Sequence, residues 1–224
     1  MVYNNLNVHV WGEIMQEMDH QEFDEIPEKT SREDRKQRKT LRENILLYLH
    51  DFVTLLAAVL LVFLLLFRVV VVFGPSMNDT LVQGDYLLLL SSTFYTDPQQ
   101  GDIIVASKSS FEDGEPIIKR VIATEGQWVN IDFNSGIVYV NDQPLDEVYV
   151  KTPTNLQADM TFPLLVDEGC VFAMGDNRNR SKDSRFTEIG LIDHREIIGK
   201  AIFLFYPGID ENKNQDFGRI GAVS

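Results

Sequence analysis

Ser76, Lys119 and the run from Gly175 to Arg185 are the side chains of this 224-residue chain best suited to chemistry. Ser76 lies in "FGPSMNDTLVQGD", where Gly74-Pro75 forces the backbone to change direction. A serine at a sharp corner exposes its hydroxyl and has backbone N–H donors close by, which acyl transfer requires of a nucleophile. Most serines in turns are only turn or cap residues, so the availability of a base decides between the readings. His194, in "LIDHREIIG", is the one histidine after residue 50, and its charged neighbours suit a solvated turn rather than a Ser-His-Asp triad.

A lysine can replace histidine only when removal from water pulls its pKa from about 10.4 toward neutrality. "EPIIKRVIATEG" offers such a setting. Strand alternation puts Ile117, Lys119 and Val121 on one face and Ile118, Arg120 and Ile122 on the other. Read alone, the stretch fits an edge strand whose long cations snorkel to water. Read with Ser76, Lys119 becomes a base kept dry by aliphatic neighbours. The third block, "MGDNRNRSKDSR", lacks the spacing and central glycine of a calcium loop. In it Asp183 and Arg185 are spaced to pair across a turn, and Ser181 is suited to holding the lysine amine in place.

These residues need a scaffold. "ILLYLHDFVTLLAAVLLVFLLLFRVVVVFG" carries no charge from Phe52 to Phe67, which predicts a bilayer-spanning helix from Ile45 to about Phe67. No small-residue cleavage site follows, so the segment reads as an uncleaved anchor rather than a leader. Lys29, Arg32, Arg35, Lys36, Arg38, Lys39 and Arg42 precede it, and only Arg68 follows closely. The positive-inside bias then puts the N-terminus in the cytoplasm. The expected organisation is a cytoplasmic tail (1–44), a transmembrane helix (45–68) and an extracytoplasmic domain (69–224). Residues 1–28 are polar and acidic and are assigned no function; residues 29–44 can extend the helix.

Past the membrane, short β-rich runs alternate with Gly, Pro, Asn and Asp: 85–90, 101–107, 116–123, 127–132, 136–141, 170–174 and 199–207. Asn134-Ser135-Gly136 suits a hairpin turn, and 151–168 reads as a loop over one edge. The fold class is mainly β, an antiparallel, barrel-like or sandwich domain behind one N-terminal helix. A net charge of −14 argues against nucleic acid as a partner. Cys170 is the single cysteine, so no internal disulfide forms, and it reads as a small buried apolar residue. No metal or other cofactor is implied.

Behind an apolar anchor and in this order, "GPSMNDTLVQGD", "GDIIVASK…IIKRVIATEG" and "MGDNRNRSKDSR…IGLI…IIGKA" resemble the bacterial type I signal peptidases in their compact Gram-positive form. The resemblance covers residues 69–205. It implies a serine-lysine endopeptidase with Ser76 as nucleophile and Lys119 as general base, working through an acyl-enzyme. It further implies that Ser181 hydrogen-bonds the lysine amine, that Asp183 and Arg185 form a supporting ion pair, and that Gly175 and Asp176 open the loop behind the site. The strand ending at Ser76 and the one holding Ile117 and Ile118 would clasp an extended substrate. Val72, Phe73, Met77, Leu81, Leu87 and Ile118 would shape shallow pockets for small residues at −1 and −3.

The implied partners are signal-peptide-bearing preproteins leaving the export translocon, and the lipid bilayer of a bacterial plasma membrane. Three positions depart from the family's pattern. Asp79 stands where proline is common, Arg180 stands where asparagine is frequent, and Gly74 replaces a serine that in some members helps bind the oxyanion. The oxyanion would then rest on the Ser76 N–H and a neighbouring backbone donor or water. Two other readings fit parts of the pattern: a self-cleaving serine-lysine protease of the same fold, and a non-catalytic, membrane-tethered peptide-binding relative.

Overall fold

The structure is a computed structural model and describes residues 26–210 and 213–223. The acidic stretch up to Glu25 lies outside the described residues. The chain divides into two compact units, residues 1–60 and 61–224.

Helix α1 (Ile26–Leu66) has 41 residues, a length of about 60 Å at 1.5 Å per residue. Its Leu-rich half presents exposed apolar side chains, including Leu46, Phe52, Leu55 and Leu61. Among the described residues it is the one helix long and apolar enough to cross a bilayer, with a mean hydropathy of 2.5 over its most apolar 18 residues. The helix extends the apolar segment through the basic residues before it, and it stops at Leu66. Phe67 and Arg68 instead open a strand, because the β-branched run that follows favours extended backbone.

Among the described residues, twelve strands follow. They are β1 (Phe67–Val71), β2 (Tyr86–Ser91), β3 (Ile103–Ser107), β4 (Pro116–Thr124), β5 (Trp128–Asp132), β6 (Ile137–Val140), β7 (Gln143–Pro144), β8 (Leu164–Leu165), β9 (Cys170–Met174), β10 (Ile192–Asp193), β11 (Ile197–Tyr206) and β12 (Gly221–Ala222). The larger sheet runs β1-β2-β11-β3-β4-β9-β10, with β12 beside β11; the smaller runs β7-β6-β5-β8. Every pairing is antiparallel. The Asn134–Gly136 turn joins β5 to β6, and Gly136 meets it at a φ of +74°. The stretch 151–168 is not wholly a loop, since β8 adds to the edge of β5. Strands β7, β8, β10 and β12 have two residues each, too few to show an alternating pattern.

β4 is no edge strand. It lies between β3 and β9, with Lys119 4% and Arg120 2% exposed, so neither cation snorkels to water. Its apolar residues enter all three buried clusters of the domain: Ile118 in one, Ile117 and Val121 in the next, Ile122 and Ala123 in the third. Full burial of each branched aliphatic contributes about 1.5–3 kcal/mol, which makes β4 the spine of the core. The pairing is staggered. β3 pairs with Pro116–Arg120, but on the other side β9 begins only at Arg120, opposite Met174. Pro116–Lys119 therefore have a ladder neighbour on one side.

Candidate active site

The chain leaves β1 through Val72, which exchanges backbone bonds with Gly84 and Asp85, and then turns at Gly74. Gly74 has a φ of +80°, a region that costs a side-chain-bearing residue and suits glycine. Pro75 and Met77 accept the N–H groups of Asn78 and Leu81, which closes a tight turn with Ser76 at its start. The 175–185 loop fastens this turn: the Asn177 N–H donates to Ser76 O at 3.0 Å, and Asn177 Nδ2 donates to Pro75 O at 3.0 Å. Gly175 permits that approach, since a Cβ there would lie 2.4 Å from Ser76 O and 2.3 Å from Ser181 Oγ.

Lys119 Nζ donates to Ser76 Oγ at 3.0 Å and to Ile118 O at 2.9 Å. Ser76 is half-buried, which leaves its hydroxyl reachable from outside while the amine behind it is covered. Ser181 is buried next to Gly175, and its Oγ donates to Lys182 O at 3.4 Å. Arg185 donates to both oxygens of Asp183, at 2.8 and 2.9 Å, with both side chains fully buried. Asp183 Oδ2 also accepts the Gly175 N–H at 3.0 Å. The ion pair thus holds Gly175, and Asn177, two residues further on, holds the Ser76 turn.

Several residues of this framework were not legible beforehand. Arg120 donates to both oxygens of Asp176, at 2.9 and 2.8 Å, and Thr80 Oγ1 donates to the same carboxylate at 2.6 Å. Its guanidinium carbon lies 4.0 Å from the ring centre of Tyr149. Burial first, and the charge of Glu147 next, push the Tyr149 hydroxyl pKa above its ordinary value. Arg178, fully buried, pairs with Glu147 and donates to Thr154 Oγ1 at 2.9 Å. Burial opposes its charge, yet the bond to Glu147 and that residue's charge together hold its pKa above the usual arginine value. Asp79 pairs with Lys151 at the surface. The partners lie tens of residues apart, so only an odd buried-looking arginine in "IIKRVIA" hinted at any of this.

Residues 45–206 match the family described as signal peptidase, peptidase S26. The chain belongs to the signal peptidase family. A probable signal peptidase I-1 of Synechocystis sp. is 42% identical over 143 residues, covering 60% of this chain and 68% of that protein. The thylakoidal processing peptidase 1 of Arabidopsis thaliana is 31% identical over 144 residues, covering 60% of this chain but 40% of that longer protein. A signal peptidase I P of Bacillus subtilis subsp. natto is 31% identical over 183 residues, covering 78% of this chain and 95% of its own. Membership makes the chain a hydrolase of the type I signal peptidase class, for which removal of signal peptides is the activity.

Ser76 and Lys119 open into a groove of about 410 Å³. Val70, Val71 and Phe73 form one wall and Pro116, Ile117 and Ile118 the other, with Lys182 at the margin. Of the residues expected to shape substrate pockets, Phe73, Ile117 and Ile118 line this groove. Val72, Met77, Leu81 and Leu87 do not: each is 2% exposed or less and belongs to the buried cluster that Ile118 shares. Alternation explains Val72, which turns inward between outward-facing Val71 and Phe73. Met77 and Leu81, four apart in the turn, pack inward together. His194 lines a separate surface pocket with Ser92, Tyr95 and Arg195. Cys170 is half-buried, and burial, then Asp193 and Asp167, push its thiol pKa up, away from the reactive thiolate.

Proposed function

We propose that this chain is a membrane-anchored serine endopeptidase that cuts signal peptides from exported preproteins, with Ser76 as nucleophile and Lys119 as general base. One observation carries the reading: the covered Lys119 amine lies 3.0 Å from the Ser76 hydroxyl at the mouth of a groove. Taking an ammonium out of water disfavours its charged form, and a neutral amine at that distance accepts a hydroxyl proton. Ser76 Oγ attacks the scissile carbonyl carbon as its proton moves to Lys119. The C–N bond then breaks, Lys119 returns the proton to the departing amine, and the signal peptide remains as an ester on Ser76. A water gives a proton to Lys119 and attacks the ester carbon; the C–O bond breaks, and the proton passes back to Ser76 Oγ. We assign the developing oxyanion to the Ser76 N–H, presented by the Gly74-Pro75 turn.

The substrate lies extended between edge strand β1 and the Pro116–Lys119 half of β4, where no strand pairs on the β9 side. Phe73, Ile117 and Ile118 form the shallow apolar sites for the −1 and −3 residues. In this reading Ser181 orients the amine, while Asp183, Arg185, Gly175 and Asp176 keep the loop rigid beneath Ser76. Residues 1–44 face the cytoplasm, 45–68 cross a bacterial plasma membrane, and 69–224 act on its outer face on chains leaving the translocon. Confinement of enzyme and substrate to one membrane face raises their effective concentration.

The test is cleavage of a synthetic precursor with an Ala-x-Ala site by the detergent-solubilised full chain, with the cut mapped, alongside Ser76→Ala and Lys119→Ala. Cleavage after the second alanine by the unchanged chain alone is expected. Equal rates in either variant would falsify the dyad. An internal cut in the purified chain without cleavage of the precursor would favour the self-cleaving reading. Precursor binding without any turnover would favour the non-catalytic one.

A further inference from the structure

Arg219 lies past the stretch 45–206 that matches the family, yet it reaches back to the chain just after Ser76. The segment that carries it is fastened on both sides. Before it, Asp216 Oδ1 accepts the Gly218 N–H at 2.8 Å and so caps the single helical turn Phe217–Arg219. After it, β12 pairs with β11, and the Val223 N–H donates to Ile202 O at 3.2 Å. From this support the guanidinium donates to both oxygens of Asp85, at 3.0 and 2.6 Å, and to Thr80 O at 3.1 Å. Asp85 is fully buried and also accepts the Val82 N–H at 2.9 Å and the Gly208 N–H at 2.7 Å. A buried carboxylate satisfied on both oxygens is a rigid anchor, and Arg219 carries that rigidity on to Thr80.

Thr80 is where this grip meets the active site. Its hydroxyl donates to Asp176 Oδ2 at 2.6 Å, and the same carboxylate takes both arms of Arg120, the neighbour of Lys119 on β4. The Asn78 N–H donates to Pro75 O at 3.1 Å and the Leu81 N–H to Met77 O at 2.9 Å, so residues 75–81 shift as one piece. We propose that Arg219 is a positioning residue for the nucleophile. By holding Thr80 O it aims the Thr80 hydroxyl at Asp176, and the link through Asp176 and Arg120 then sets Ser76 against Lys119. The proposal rests on the Ser76–Lys119 reading and brings the C-terminal segment into it. Arg219 touches no reacting atom. Asn177 tethers the same turn independently, through Ser76 O and Pro75 O, so losing Arg219 loosens the nucleophile without releasing it. The groove walls Val70, Val71, Ile117 and Ile118 lie on β1 and β4, outside the tethered turn. The effect therefore falls on the chemical step and spares substrate binding.

The test measures kcat and KM for the Ala-x-Ala precursor with the detergent-solubilised full chain, each variant held well below its own thermal midpoint so that all of it is folded. Arg219→Gln is expected to lower kcat by about tenfold and leave KM where it was. Because that change strands buried Asp85, Thr80→Val is made beside it, which keeps the Arg219–Asp85 pair whole. A similar loss in kcat is expected there, and Thr80→Ser, which retains the hydroxyl, recovers most of it. In Thr80→Val/Arg219→Gln the two losses do not multiply, since both break one link. A purely structural Arg219 would lower the thermal midpoint and leave the kcat of folded molecules unchanged. That result, losses that multiply, or Thr80→Val turning over at the full rate overturns the proposal; should Arg219→Gln fail to fold, the two Thr80 variants decide it. Ser76→Ala and Lys119→Ala run alongside. If the unchanged chain cuts no precursor, or either of these variants cuts it equally well, the Ser76–Lys119 reading fails and the positioning role falls with it.

Discussion

Lys119 and Arg120 are neighbours on one strand and almost equally buried, at 4% and 2% exposed, yet they meet different chemistry. Arg120 gives both arms of its guanidinium to Asp176 and a third bond, at 2.8 Å, to Gly101 O. A bidentate carboxylate fixes both the charge and the direction of an arginine, so this cation is structural. Lys119 is oriented by a hydroxyl and a carbonyl, and the hydroxyl belongs to the half-exposed serine at the groove. Alternation sends the two side chains to opposite faces of β4. One strand therefore supplies the framework on one face and, in the proposed reading, the general base on the other, and the same local sequence serves both ends.

The comparison can be broken most sharply at Lys119. Lys119→Met should lower turnover of a precursor by about 1,000-fold, the scale of a lost general base, while the thermal midpoint holds or rises. A comparable loss of stability would mean that the lysine, too, is framework. Arg120→Met tests the other face. It strands the buried Asp176 carboxylate, and a denaturant melt should show a loss of about 3–5 kcal/mol. Arg120→Met with no such loss would undo the contrast from its side. Gly175→Ala sits between the two faces: its methyl must displace Ser76 O or Ser181 Oγ, and a misplaced nucleophile costs about 100-fold in rate. Single-turnover kinetics beside a melting curve separates that from unfolding.

The smallest effect sharpens the contrast between buried and exposed pairs. Asp193 is held well below the usual carboxylate range, chiefly by the Arg195 side chain and then by the Arg195 backbone N–H. A carboxylate depressed in the folded state adds its stability above its unfolded pKa, about 3.9, and loses it as pH falls through the lower folded value. Asp193→Asn should therefore change the stability curve only slightly near neutrality and flatten its limb below about pH 4. A difference that persists unchanged down to the acid end would assign the effect to the turn's cap rather than to the charge.

Some longer strands were legible because burial on one face leaves a period-two record, as in "WVNID" with Val129 and Ile131 inward, while β3 and β9, buried on nearly every residue, were legible only as short apolar runs between turn residues. The two-residue strands carry no such record. Asp183 and Arg185, two apart, were readable as a pair; Arg120 and Asp176, separated by 56 residues, were not. Apolar type alone did not tell groove wall from core. Phe73 and Met77 look alike in the sequence, but Phe73 is 86% exposed and Met77 1%.

Residue types by themselves determined the apolar anchor, the β-rich domain behind it, and a serine, a lysine and a polar loop fit for one another. Those are local properties, written in runs of charge, alternation and turn residues. Tertiary structure alone decided that the lysine is covered, that its tip reaches the serine, and that β9 starts late enough to leave half of β4 open. Such outcomes depend on which distant segments pack together, and free energy summed over many weak contacts leaves no mark at any single position.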